Sequence, residues 1–292
     1  MKNGFLKLDY LRRKKFRSAV TSSVLFLIAL ILSVLLVLPL VWMVIQSLQP
    51  NGDNIYQLPP VMPNPATLAN FKTVFNEWNI PRLFLNTMTI MLGVMILTLF
   101  SSLFVGYGFA RLKGKGKNIM FGILMSTMML PWSVTLIPSY AVWAKLGMLG
   151  TYWPLILPSI GGGAFNILLV RMFIMNIPRA LDEAATIDGC SKVRVLLTIL
   201  LPQLWPVMAT IIVFTFNGVW NDYVAPLTYL WGYTDKYTFS IKLATSFRNE
   251  FQVSDWPKIM SASTLLSLPS ILIVFFAQSA FTRGIVTTGL KD

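Results

Sequence analysis

Residues 20–48 read VTSSVLFLIALILSVLLVLPLVWMVIQSL, an apolar run that contains no charged side chain. A helix needs about 20 such residues to cross the hydrocarbon core of a bilayer. The apolar core of a secretory signal peptide is only about 7–15 residues long and ends at a small-residue cleavage site. This run is longer and ends in Trp42, Met43 and Gln46. It therefore predicts an uncleaved membrane-spanning helix.

Five further charge-free windows of comparable length follow the first. They occupy residues 83–110, 118–144, 146–170, 195–221 and 259–282. Transmembrane β-strands are about 10 residues long and alternate strictly between apolar and polar residues, and these windows do neither. The sequence therefore predicts an all-α integral membrane protein with six transmembrane helices, forming a single transmembrane domain over residues 1–292.

The composition excludes several functional classes. Apolar residues make up 55% of the chain and charged residues 12%, against about 25% charged in soluble domains. There is no His and one Cys, Cys190. A Ser-His-Asp triad and a His-ligated zinc site are therefore impossible, and no catalytic or metal-ligating residues are predicted. Nucleic-acid binding is disfavoured because the basic residues lie between apolar runs.

The distribution of Lys and Arg predicts the orientation of the chain. Of the 24 basic residues, 17 fall on the side that holds both termini and 7 on the other. Cytoplasmic segments carry this excess, so both termini are expected in the cytoplasm. The predicted cytoplasmic segments are the basic N-terminus 1–17, the loop 176–204 and the tail 284–292, and the long extracytoplasmic loops are 49–82 and 232–256.

The 176–204 loop carries the signals of two short helices. Pro178 suits the first helical position because its missing N–H would be unpaired there. Gly189 is a typical left-handed stop. Residues 178–188 are therefore predicted to form a helix about 16 Å long, and Ser191 is expected to cap the next one.

One face of this first short helix is made of small side chains. Ala180, Ala184 and Ile187 share a face, with Glu183 beside them. A helix lying on lipid would favour Leu, Phe and Trp. Small residues with an exposed Glu instead favour a groove on another protein, although a helical hairpin on the bilayer surface is the simpler alternative.

Several motifs in this loop and in the C-terminal part of the chain resemble those of a known family. The sequence EAA at 183–185, Gly189 and ILLP at 199–202 resemble, in type and spacing, the EAA loop of ABC importer permeases. Pro226, the run WNDY at 220–223 and the ending FTRGI at 281–285 resemble the carbohydrate branch, as in the second permease subunit of the maltose transporter family. The family often has Glu where Asp222 stands.

The resemblance implies a transport subunit that is not itself an enzyme. The family's permeases carry no nucleotide site, and the chain has no G-x-x-x-x-G-K-[ST] loop. In the family, the loop helix seats in a cleft of a separate ATPase, with the Glu pairing with a basic residue there. The residues implied in ATPase coupling are Glu183, Ala184, Ala185, Asp188, Gly189 and Pro202.

The resemblance also implies the partners and the location. We expect a second homologous permease in a heterodimer, two ATPase subunits that bind ATP and Mg, and an extracytoplasmic binding protein that delivers a sugar. This chain itself is expected to bind no cofactor. The complex is expected in the bacterial cytoplasmic (inner) membrane, with this chain as a multi-pass component of the lipid bilayer.

The solute path is expected near the end of the fifth window. Its candidates are Trp220, Asn221, Asp222 and Tyr223. An ionisable residue in an apolar stretch suggests function. The carboxylate of Asp222 suits sugar hydroxyls, and Trp220 or Tyr223 suits stacking on a sugar ring. The alternative is a structural hydrogen bond, or a contact with the partner permease.

Two other readings of the function remain open. The first is a permease of the same architecture for another solute, such as a polyamine, a phosphate or an amino acid. The second is a stand-alone secondary transporter. Such transporters usually show internal repeats and several buried charges, and neither is evident in this sequence.

Overall fold

The computed structural model describes residues 2–50, 62–249 and 256–286. Within these ranges the secondary structure is helical throughout, with no β-strand, as the sequence predicts. Residues 51–61 and 250–255 of the two long predicted loops, and 287–292 of the predicted tail, lie outside the described residues.

The helices follow one another with short connections. The α-helices are α1 (Lys2–Ser47), α2 (Ala69–Glu77), α3 (Ile80–Arg111), α4 (Lys117–Ser126), α5 (Trp132–Lys145), α6 (Trp153–Ile156), α7 (Ala164–Asn176), α8 (Ala180–Ile187), α9 (Lys192–Arg194), α10 (Leu201–Gln203), α11 (Trp205–Asn221), α12 (Val224–Leu230), α13 (Phe239–Asn249) and α14 (Trp256–Val286). Short 3-10 helices cover Thr127–Met129, Leu157–Gly161 and Thr234–Lys236, and a π-helical turn covers Val195–Leu200.

Four helical stretches of the described chain are long and apolar enough to cross a membrane. They are Thr21–Ser47, Ile80–Arg111, Trp153–Asn176 and Trp256–Phe276. Two bent pairs raise the number to six if each pair is one span. The six predicted windows therefore correspond to four spanning stretches, of which Trp153–Asn176 has a local break, and to two bent pairs.

The third window is broken where it contains Pro131. Lys117–Met129 and Trp132–Lys145 meet at an angle of 97°. A proline pushes the preceding residue out of the helical region, and Leu130 is extended, with φ −79° and ψ 115°. The sequence predicts a kink at Pro131 in this window, and the structure confirms it as a sharp bend.

The fifth window is also bent, at Leu204. The helical segments Lys192–Gln203 and Trp205–Asn221 meet at 79°. Pro202 and Pro206 flank the bend. Each lacks the N–H that would continue the helical ladder, and the π-helical turn immediately precedes the first of them.

The fourth window is interrupted at a glycine pair but remains one candidate span. Gly162 and Gly163 have positive φ values of 71° and 72°, which glycine adopts without steric cost. A Cβ on Gly162 would lie 2.9 Å from the backbone nitrogen of Ser102 in α3. The glycines therefore serve both close helix packing and a local break.

The chain divides into two compact units. The first comprises residues 1–71 and 253–264. Within it the Asn70 side chain donates hydrogen bonds to the carbonyls of Ser47 (2.9 Å) and Gln49 (2.7 Å). The Ser261 hydroxyl donates to the same Ser47 carbonyl, at 3.1 Å. These bonds satisfy carbonyls that the end of α1 leaves unpaired.

The second unit comprises residues 72–252 and 265–292. Its main apolar cluster joins α3, α7, α8, the π-helical turn and α11. The buried members are Leu103, Tyr107, Ala110, Val170, Ile174, Ile177, Ala185, Val195, Leu196, Leu200, Leu204, Val207, Met208 and Ile211. The short helix α8 is thus packed against long helices of its own chain.

The segments predicted as long loops contain helices of their own. The 49–82 segment holds α2 and the start of α3, and the 232–256 segment holds α13. Phe239 and Ile241 of α13 are buried, and the Phe239 N–H donates to the Thr87 hydroxyl of α3 at 3.1 Å. Burial of these apolar side chains explains why part of the second segment folds against the helices.

Candidate functional site

The helix α8 is closed by a left-handed glycine, as its sequence predicts. It covers Ala180–Ile187, slightly shorter than the predicted 178–188. Gly189 has φ 79°. Its N–H donates to the Thr186 carbonyl (3.1 Å), and the Cys190 N–H donates to the Ala185 carbonyl (2.9 Å). This bonding pattern is a Schellman motif.

The next helical stretch starts at Ser191 and anchors the segment. The Ser191 hydroxyl accepts a hydrogen bond from the Arg194 N–H at 3.3 Å, which confirms the predicted cap. Val195, Leu196 and Leu200 of the following π-helical turn are buried in the apolar cluster. The two short helices therefore form a hairpin, and one side of this hairpin packs against the apolar cluster of the protein.

The opposite side of α8 is a surface of small and acidic residues. Ala180, Glu183, Ala184 and Ile187 are exposed, with Ile187 at 86%. They lie three or four residues apart, so they share one face. We call this set the α8 face.

The predicted coupling residues divide between the surface and the core. Glu183 and Ala184 belong to the α8 face, and Asp188, Gly189 and Pro202 are exposed nearby in the chain. Ala185 is buried in the apolar cluster. Its small side chain therefore allows close packing within this chain.

The structure adds an ion pair that sequence reasoning missed. The Arg111 Nε atom, at the end of α3, lies 2.5 Å from the Asp182 Oδ2 atom of α8, and the two side chains are 6% and 19% exposed. Arg111 also donates from its Nη2 atom to the Ile177 carbonyl at 2.7 Å. Arg111 is one of the basic residues counted on the predicted cytoplasmic side, and Asp182 lies in the first turn of α8, where the helix dipole favours an acid. Neither observation by itself indicates that the two residues pair.

The candidate solute-path residues lie where α11 gives way to α12. Asp222 separates the two helices, and its Oδ1 atom accepts hydrogen bonds from the N–H groups of Val224 (3.0 Å) and Ala225 (3.3 Å). The Asp222 carbonyl accepts a bond from the Ser240 hydroxyl at 2.6 Å. The carboxylate therefore caps α12, which is one structural role for an acid at this depth.

The aromatic residues on either side of Asp222 differ in exposure. Trp220 is 1% exposed and Tyr223 is 47% exposed. The Trp220 ring stacks on Phe216, with 5.6 Å between ring centroids, and its Nε1–H donates to the Leu266 carbonyl at 2.8 Å. Of the two rings, only that of Tyr223 is available to a ligand in this conformation.

A cleft of about 500 Å³ opens beside the break and is lined by Trp132, Gly218, Asn221 and Asp222. The amide and carboxylate there can hydrogen-bond to a hydroxylated solute. Across the described residues, no group of three or more His, Cys, Asp and Glu side chains could hold a metal ion.

Apolar helices of spanning length, with a surface hairpin between them, are the architecture of a multi-pass membrane protein. Residues 102–287 match the family described as "Binding-protein-dependent transport system inner membrane component". The match covers more than half of the chain, and the chain belongs to this family.

Relatives and a solved structure agree with this assignment. A probable ABC transporter permease, YurM of Bacillus subtilis, is 29% identical over 281 residues, which are 96% of this chain and 91% of that protein. AraQ of the same species, an arabinooligosaccharide transport permease, is 28% identical, with 91% of this chain and 95% of that protein covered. A bacterial ABC transporter that imports the acidic polysaccharide alginate shares the fold, with a TM-score of 0.74, 18% identity and coverage of 93% and 97%.

Proposed function

We propose that this chain is the membrane-spanning subunit of an ABC importer for a sugar or oligosaccharide. A separate ATPase drives the transport, and an extracytoplasmic binding protein delivers the solute. Family membership supports the class of transporter. The printed names of relatives support the solute class: AraQ for arabinooligosaccharides, and others for diacetylchitobiose, galactooligosaccharides and lactose.

The α8 face is the observation that carries this proposal. A short helix that is buried on one side and exposes Ala180, Glu183 and Ala184 on the other can enter a groove without rearranging. Because Leu196 and Leu200 fix the hairpin to the core, a push on α8 moves the attached helices with it. Glu183 supplies the charge that a basic residue of the ATPase pairs with.

The rest of the complex follows from the same proposal. ATP and Mg bind to two ATPase subunits, and this chain holds neither. A second permease pairs with this one, as a heterodimer, and the two enclose the solute path. The assembly lies in the bacterial inner membrane, with α8 and both termini on the cytoplasmic side.

The cleft beside the helix break is the proposed contact of this subunit with the solute. Asn221 and Asp222 supply hydrogen-bonding groups and Tyr223 supplies an exposed ring face. Trp220 is excluded from this contact, because its ring is buried against Phe216. Neutral, hydroxyl-rich sugars match this set of groups.

Uptake by cells tests the proposed solute class. The gene would be deleted, and uptake of labelled arabinooligosaccharides, lactose, galactooligosaccharides and diacetylchitobiose would be measured. Loss of uptake of one of these sugars, restored by the wild-type chain and not by Glu183→Lys, is the expected result. Full uptake of all of them in the deleted strain contradicts the carbohydrate proposal.

One relative favours a second solute class. GgtD of Synechocystis is named as an uptake permease for osmoprotective compounds and is 30% identical over 263 residues. Growth of the deleted strain at high salt, with and without osmoprotectants, separates this possibility from carbohydrate uptake.

A further inference from the structure

The end of α3 is tied to the start of α8 by side chains that are hidden from solvent. Arg111 is the last residue of α3, and its guanidinium contacts both Asp182 and the Ile177 carbonyl. Ile177 directly follows α7. One side chain therefore connects three helices, and α3 lies far from the other two in sequence.

The placement of this ion pair needs an explanation beyond stability. Taking two charges out of water has a cost that their attraction often only balances, and an apolar pair commonly stabilises a fold equally well. The Oδ1 atom of Asp182 is buried and has no hydrogen-bond partner among the described residues. A pair that is so incompletely satisfied is a poor choice for stability alone.

Directionality distinguishes the ion pair from the packing around it. Ala110 and Ala185 belong to the same apolar cluster, but dispersion contacts between small side chains allow sliding. The planar guanidinium is oriented by its Nη2–H bond to the Ile177 carbonyl (2.7 Å), and it meets Asp182 as a close ion pair in which the Nε atom makes no hydrogen bond among the described residues. The neighbouring acid, Glu183, lies on the exposed face, so adjacent acids serve opposite sides of α8.

We infer that the Arg111–Asp182 pair is the positioning link that transmits a displacement of α8 to α3. The inference rests on the proposed function, in which an ATPase moves α8. Without the pair, α8 would still move with α7 and with the 192–203 helix, to which the chain connects it. The displacement would then reach α3 through apolar contacts and through hydrogen bonds with the α7 segment, such as that from Arg171 to the Phe109 carbonyl at 3.4 Å.

Hydrogen exchange on the assembled complex tests this link without knowledge of the solute. Exchange is measured over residues 105–111 and 180–187, with and without Mg-ATP and vanadate bound to the ATPase. In the wild-type complex, nucleotide is expected to change exchange in both segments. In Asp182→Asn or Arg111→Gln, the change at 180–187 persists, and the change at 105–111 falls by about fivefold or more.

Two further variants make the result specific. Lys113→Gln removes an exposed cation two residues beyond Arg111 and is expected to behave as wild type. The charge exchange of Arg111→Asp with Asp182→Arg is expected to recover part of the change at 105–111. If the neutral variants fail to assemble, Arg111→Lys keeps the charge but loses the second N–H contact, and a partial loss is then expected.

The outcomes separate the link from the wider proposal. An unchanged response at 105–111 in complexes carrying Asp182→Asn overturns the link and leaves the proposed function standing. Lower complex yield with a full response in the assembled fraction also overturns it, since the pair would then only stabilise. A wild-type complex whose 180–187 segment does not respond to nucleotide counts against the proposed function itself.

Discussion

Two acidic side chains near helix starts, Asp182 in α8 and Asp222 before α12, satisfy their charge in different ways. Asp182 forms an ion pair with the guanidinium of Arg111, the last residue of the long helix α3. Asp222 accepts N–H groups from Val224 and Ala225, two and three residues further along the chain. The first carboxylate joins distant elements, and the second shapes a local break.

Under the proposed function, this difference separates the α8 hairpin, which moves as a body with the ATPase, from the break before α12, which keeps its shape. The hairpin that contains α8 is held by Leu196 and Leu200 in the apolar cluster, so force on its exposed face spreads into the unit. Between α11 and α12, the Asp222 cap and the hydrogen bond from the Ser240 hydroxyl to the Asp222 carbonyl fix the course of the backbone beside the cleft.

The largest expected effect is the difference in access from the two sides of the membrane. Cysteines replacing Thr234 and Lys115, both exposed, are made in a Cys190→Ser background. In sealed cells an impermeant thiol reagent should label residue 234 fully and residue 115 not at all, because 17 of the 24 basic residues fall in the segments that, like residue 115, are predicted to be cytoplasmic. Permeabilised cells supply the control, in which both positions should react.

Labelling of residue 115 in sealed cells would mean that the orientation of the chain is the reverse of the predicted one. The α8 face would then be on the outside, where no ATPase could reach it. The proposed difference between the α8 hairpin and the break at Asp222 would then fail as well.

Reversal of charge at Glu183 is expected to have the next largest effect. Glu183 is exposed on α8 and makes no contact that would hold the fold among the described residues. Like charges across an interface oppose association, so Glu183→Lys should lower uptake about tenfold or more at unchanged membrane levels. The control is Lys115→Glu, which reverses a charge in the loop between α3 and α4 and should keep near wild-type uptake.

Much of the fold could be predicted because apolar length and helix-end signals are local. The long charge-free windows predict spanning helices, and Gly189 and Ser191 end and start helices as their residue types suggest. The bend at Pro131 could be predicted, because proline interrupts the hydrogen bonding of a helix, but proline does not always break a helix. Pro131 stands at a bend of 97°, whereas Pro39 and Pro269 lie inside continuous helices.

The site was predictable only where it depends on neighbours in sequence. The small-residue face of α8 follows from helical spacing alone. The inward position of Ala185 and the pairing of Arg111 with Asp182 depend on how α3 and α8 pack. The burial of Trp220 depends likewise on Phe216 and on the Leu266 carbonyl, so its hypothesised stacking on a sugar could not be judged from the sequence.

Gly189 offers a smaller and more local test of the anchored hairpin. Its φ is 79°, and a Cβ there would meet open space, so any penalty comes from the backbone alone. A left-handed conformation costs a side chain with a Cβ about 1–2 kcal/mol, and a β-branched residue is the worst case. Gly189→Val should therefore lower the thermal stability of the purified protein and reduce uptake several-fold.

Gly189→Asn is the matched control, because Asn adopts the left-handed conformation more readily. It should retain most of the uptake that Gly189→Val loses. Equal loss in both variants would mean that the side chain blocks a contact, and that the turn geometry is not the cause.

The smallest expected effect distinguishes the two roles of Asp222. Because Oδ1 caps α12, Asp222→Ala should cost about 1 kcal/mol of stability and lower the yield of assembled complex. Asn is an equally good cap, so Asp222→Asn should assemble normally while its charge is lost.

Uptake per assembled complex, with its KM and maximal rate, is then measured in both variants. If Asp222 faces the solute in the cleft with Asn221, Asp222→Asn should raise the KM at normal assembly, because a charged acceptor binds a sugar hydroxyl more tightly than an amide does. A normal KM in Asp222→Asn, together with poor assembly of Asp222→Ala, would leave the carboxylate as a helix cap only and would shift the search for solute contacts to Asn221 and Tyr223.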